Sequence, residues 1–92
     1  MPNPGSYTFF NNLVVNWSYD APKGQLTVSA TLNGRDIGSK VLSSGTTTGQ
    51  ISGSEGGQSA VVGLTANFTT MALDMAAQET NPTRTGTHTS DF

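Results

Sequence analysis

The chain has 92 residues, a net charge of −2 and no cysteine, and half of it is Ser, Thr, Gly, Asn and Gln. That length holds one domain, and the four basic residues, Lys23, Arg35, Lys40 and Arg84, are too scattered for a phosphate-tracking stripe, so no nucleic acid is expected. Only 11% of the chain is charged, which leaves little for acid–base, nucleophilic or metal chemistry.

The opening Met1-Pro2-Asn3-Pro4-Gly5 has neither the basic nor the apolar stretch of a signal peptide, and localisation stays open. From Tyr7 to Tyr19 the odd positions Tyr7, Phe9, Leu13, Val15, Trp17 and Tyr19 are apolar or aromatic, while most even ones are polar. Such alternation marks a strand with one buried face, with Asn11-Asn12 as a place for a bulge or turn. Asp20-Ala21-Pro22-Lys23-Gly24 supplies the next turn.

Gln25–Leu32 puts Leu26, Val28, Ala30 and Leu32 on one face. Asn33-Gly34 then predicts a type I′ hairpin turn, which needs positive φ at both central residues. The third strand is Arg35–Leu42. A two-residue turn pairs Leu32 with Arg35, Ala30 with Ile37 and Leu26 with Val41. On the other side, Tyr19 pairs with Leu26, Trp17 with Val28 and Val15 with Ala30. All these apolar side chains then share one face, as register demands. The three strands read as a meander.

Ser43–Ser59 is rich in Gly, Ser and Thr, and reads as an irregular edge strand with a mobile loop over Ser52–Gly57, followed by a strand at Ser59–Leu64. Thr65–Glu79 carries both helical spacing (Leu64, Phe68, Met71, Met75) and alternation (Met71, Leu73, Met75, Ala77), and the β-rich context favours strand. Thr80–Phe92 shows no apolar period and reads as a flexible polar tail. The expected fold is all-β: an antiparallel β-sandwich of about six short strands over residues 1–79, with the tail at 80–92. No run approaches the roughly 20 apolar residues of a membrane span.

Catalytic constellations are missing. His88 falls in the tail, with no scaffold to hold it near a nucleophile. Asp20, Asp36, Glu55 and Asp74 fall at turns or on separate strands, and no Lys or helix follows Gly49–Gly57 to cradle a phosphate. The expectation is a binding module that is not an enzyme, with no catalytic residues, metal or cofactor.

Trp17 is read as core. Tyr19, Asp20, Lys23 and Glu55 are expected to gather at one rim and bind carbohydrate, in the manner of a lectin, through an aromatic face and polar groups. The alternative is a structural protein that self-assembles into a homo-oligomer by sheet-to-sheet or edge pairing, because its flat polar faces and edges carry few charges. A third reading presents the Ser43–Gly57 loop to a protein surface. No motif identifies a family.

Overall fold

Asn33 and Gly34 take φ of 54° and 82°, as the type I′ turn requires. This turn joins two of eight strands found among residues 4–92, which the computed structural model describes. In chain order they are β1 (Gly5–Phe9), β2 (Leu13–Asp20), β3 (Gln25–Leu32), β4 (Arg35–Leu42), β5 (Thr48–Glu55), β6 (Gln58–Asn67), β7 (Ala72–Thr80) and β8 (Arg84–Asp91). They form two four-stranded antiparallel sheets, β1-β2-β3-β4 and β5-β6-β7-β8, each with its strands side by side in chain order. Met1–Asn3, part of the opening Met1–Gly5 stretch read above for a signal peptide, lie outside the described residues.

The inner faces pack on each other to form one core. Leu13, Val15, Trp17, Leu26, Val28, Leu32 and Leu42 come from the first sheet. Ile51, Val62, Leu64, Leu73, Met75 and Ala77 come from the second. Burial of each large aliphatic side chain contributes about 1.5–3 kcal/mol relative to exposure, so a thin but continuous core suffices for a chain this polar.

Several expectations are corrected. There are eight strands rather than six. Tyr7–Tyr19 is not one strand: Phe10 and Asn11 adopt φ of 59° and 70°, and the chain reverses there between β1 and β2. Ser52–Gly57 is mostly strand, since β5 runs regularly to Glu55 before a turn at Gly56-Gly57. The supposed flexible tail contains β8, paired along its whole length with β7, and ends on a buried Phe92.

Register also departs from expectation in one place. Tyr19, Trp17 and Val15 do face Leu26, Val28 and Ala30, and Leu32 faces Arg35. Beyond Thr31, however, a β-bulge inserts Ile37, so Ala30 pairs with Gly38 and Leu26 with Leu42. The Asp36 side chain accepts a 2.9 Å hydrogen bond from the Gly38 N–H, and Gly38 has φ of 142°, a conformation glycine adopts without strain. The extra residue turns Leu42 into the core and leaves Val41 on the outside, 49% exposed.

The two sheets meet along their edges through side chains. At β4 and β5, Gly53 accommodates Ile37: a Cβ on Gly53 would sit 2.6 Å from that of Ile37. The Arg35 and Glu55 side chains approach to 3.5 Å on the same seam. Along β1 and β8 the filling is aromatic, with the Tyr7 and His88 rings stacked at 3.6 Å and 9°. His88 is thus a half-buried strand residue rather than a solvated tail residue.

The pairing also shows an internal repeat. Val15·Ala30, Trp17·Val28 and Tyr19·Leu26 in the first sheet correspond in order to Val62·Ala77, Leu64·Met75 and Ala66·Leu73 in the second. The match extends outward on both sides. Gly5 pairs with Trp17 as Gly49 pairs with Leu64, and Arg35 and Gly38 take the places of Arg84 and Gly86. Each sheet is one copy of a four-stranded unit.

Candidate functional site

The four residues expected at one rim do not come together. Tyr19 and Asp20 close β2, and Lys23 lies exposed in the turn that follows. Tyr19 is half-buried, its ring centroid 5.2 Å from Phe92 and 6.2 Å from Phe68. Glu55 lies at the opposite end of the sandwich, beside Arg35. The reason is that β5 is extended and carries the chain about 24 Å away at 3.4 Å per residue, where a loop would have kept it near.

At that far end a polar network ties the sheets together. Gln58 Oε1 accepts from Asn12 Nδ2 at 3.2 Å and from Asn33 Nδ2 at 2.8 Å. Gln58 Nε2 donates to the Asn81 carbonyl at 3.2 Å and to Glu79 Oε1 at 3.4 Å. Glu79 is wholly buried and also receives Arg84, whose Nε donates at 3.1 Å and whose terminal nitrogen makes the ion pair. The Arg84 guanidinium lies 5.3 Å from the Phe10 ring centroid. Glu79 Oε2 and Asn12 Oδ1 are buried with no hydrogen-bond partner among the described residues. The cluster joins β6, β7 and β8 to the turns that carry Asn12 and Asn33, with its two unpartnered oxygens closed to solvent.

The more accessible concavity is on the outer face of the second sheet. A trough of about 470 Å³ lies over β6, β7 and β8, within the usual range of small-molecule sites, about 300–1,000 Å³. Its floor is made by Gly63 and Ala76, paired across β6 and β7, and small side chains there leave the depression. Thr65, Asp74, Thr87 and Thr89 rise around it. Thr89 Oγ1 donates to Asp74 Oδ1 at 2.5 Å, which fixes the carboxylate. A second hollow of about 410 Å³ continues along β7 and β8 past Gln78 and Thr85, sharing Ala76 and Thr87.

The trough presents threonine hydroxyls and the Asp74 carboxylate, while the His88 ring is turned the other way and stacks on Tyr7. Among the described residues no three His, Cys, Asp or Glu side chains gather to hold a metal ion, and no helix is long and apolar enough to cross a membrane. Sequence reasoning missed this place because Thr65, Asp74 and Ala76 fell in the ambiguous stretch, and Thr87 and Thr89 in the tail. The signal present was the alternation Thr85-x-Thr87-x-Thr89, a row of hydroxyls on one face of a strand. No family model, curated protein or solved structure matches the chain.

Proposed function

We propose that the chain is a non-enzymatic carbohydrate-binding module whose ligand lies in the trough of the second sheet. The observation that carries this reading is the ring of Thr65, Thr87, Thr89 and Asp74 around a floor of Gly63 and Ala76. Sugar hydroxyls both donate and accept, as threonine hydroxyls do, and a carboxylate accepts more strongly than a neutral oxygen. One Asp74 oxygen is engaged by Thr89, and the other would accept from a sugar hydroxyl. Placement on paired strands rather than loops keeps these groups preorganised. A ¹H–¹⁵N NMR titration with lactose, cellobiose, mannobiose and N,N′-diacetylchitobiose tests it. Shifts at the Gly63, Thr65, Ala76 and Thr87 amides are expected, and no shift with any of the four at millimolar concentration discards the reading.

A second reading, self-assembly through an edge, is favoured by β8. It is an edge strand of eight residues with no proline, lysine or bulge, and no Asp, Glu, Lys or Arg between Arg84 and Asp91. Native edges usually carry such protection, and β4 does, with its bulge and Lys40. Light scattering that reports a monomer at millimolar concentration rules this reading out.

A further inference from the structure

We infer that the module is bivalent, with a second carbohydrate site on the outer face of the first sheet that is equivalent, by the internal repeat, to the trough on the second. This rests on the carbohydrate-binding reading and adds to it a second site and a bridging role. A hollow of about 290 Å³ opens on that face. Its lining pairs Asn16·Ser29 and Ser18·Thr27 stand where Gly63·Ala76 and Thr65·Asp74 stand in the other trough. Trp17 and Gly5 match Leu64 and Gly49, which are likewise paired and likewise border their hollow. Two independent observations, strand register and surface shape, therefore select the same positions on β1–β3 and on β5–β7, whereas β8 lines the trough and its counterpart β4 does not line the smaller hollow.

The outer faces of the two sheets point in opposite directions, so ligands on them lie on opposite sides of the molecule. One copy then bridges two glycan chains without oligomerising, and multivalent engagement raises avidity without any new contact.

The two sites are not equal. Asn16 and Ser29 raise the floor that Gly63 and Ala76 leave low, consistent with 290 against 470 Å³. Thr27 and Val41 occupy the places of Asp74 and Thr89, so the first-sheet site has no carboxylate. A hydrogen bond to a charged group outweighs a neutral one by roughly a factor of ten in affinity. The second-sheet site is the tighter by about that ratio.

The test is the same four-disaccharide titration, run on the wild type and on Ala76→Arg and Ser29→Arg, each of which fills one floor from the solvent side. The expected result is two responding amide clusters, Gly63–Thr65 with Ala76 and Asn16–Ser18 with Ser29, the first saturating at roughly tenfold lower sugar concentration. Ala76→Arg removes only the first cluster and Ser29→Arg only the second, with the remaining spectrum unchanged. A response in a single cluster overturns bivalency while leaving carbohydrate binding in place. No response with any of the four disaccharides overturns both.

Discussion

Glu79 occupies in the second sheet the place that Leu32 occupies in the first. Leu32 lies between Leu13 and Arg35, and Glu79 between Ala60 and Arg84. Both are completely buried. A carboxylate in a leucine position is tolerable only because Arg84 and Gln58 reach its Oε1. The repeat thus shows what the position accepts when no ion pair is present.

This yields an asymmetric prediction for the pair. Arg84→Ala leaves a buried carboxylate without its cation and destabilises the fold by about 2–3 kcal/mol, less than for a fully enclosed pair because the Arg84 side chain is 37% exposed. Glu79→Leu restores the residue type of the other repeat and stays within about 1 kcal/mol of wild type, since Gln58 Nε2 keeps the Asn81 carbonyl. Urea denaturation measures both. Equal losses from the two substitutions would contradict the account.

The β4–β5 seam predicts a second effect. Gly53 has an ordinary exterior neighbourhood in sequence, yet any side chain there meets the Ile37 Cβ at 2.6 Å. Gly53→Val overpacks the seam and costs about 1–3 kcal/mol. Combining it with Ile37→Ala relieves the clash and recovers part of that loss, which a thermal melt of the single and double variants reveals. Simple additivity of the two losses would show that the residues do not touch.

What the sequence made legible follows from where apolar residues sit. β2 and β3 alternate Leu13, Val15, Trp17 with polar neighbours, and Leu26, Val28, Ala30 likewise, so hydrophobic burial alone specifies their register. β4 was legible only to its bulge, because the consequence of Asp36 and Gly38 is a one-residue shift that swaps Val41 for Leu42. β8 was illegible for a physical reason. Its half-buried row is Arg84, Gly86, His88 and Ser90, which line a seam filled from the other side by Phe10, Phe9 and Tyr7. β5 is similar, with Gly49, Gly53 and Glu55 around a lone Ile51. A strand whose partner supplies the bulk shows no apolar period of its own. The expected rim site failed with β5, since misreading that strand as a loop put Glu55 at the wrong end.

The end of the chain gives a third prediction. Phe92 is buried, meets Tyr19 and Phe68 edge to face at 5.2 and 5.3 Å, and its N–H bonds the Met71 carbonyl at 2.9 Å. Phe92→Ala removes the centre of this aromatic cluster and costs about 3 kcal/mol. Hydrogen exchange separates this from fraying of a loose end. In the wild type the β8 amides bonded to β7 exchange as slowly as those of β6, and in Phe92→Ala the Ser90–Phe92 end exchanges first. Rapid exchange throughout β8 in the wild type would restore the flexible tail.

The last prediction separates binding from stability in the second-sheet trough. Asp74 and Thr89 are both exposed, on outward positions of paired strands, and joined by a 2.5 Å hydrogen bond. Thr89→Val places at this position what the first sheet carries in Val41, with no loss of strand propensity. The fold should therefore change by less than about 0.5 kcal/mol, the usual limit for surface substitutions. Binding should suffer more, because a freed Asp74 carboxylate loses its fixed orientation and Val cannot hydrogen-bond a sugar. Loss of one such contact to a charged group lowers affinity by roughly tenfold or more. Asp74→Ala should weaken the same site by at least as much and leave the Asn16–Ser29 cluster unaffected. Calorimetric titration with whichever disaccharide shifts the Gly63 and Ala76 amides checks both variants. A pair of variants that lose stability while keeping wild-type affinity would show that Asp74 and Thr89 serve the sheet and not a ligand.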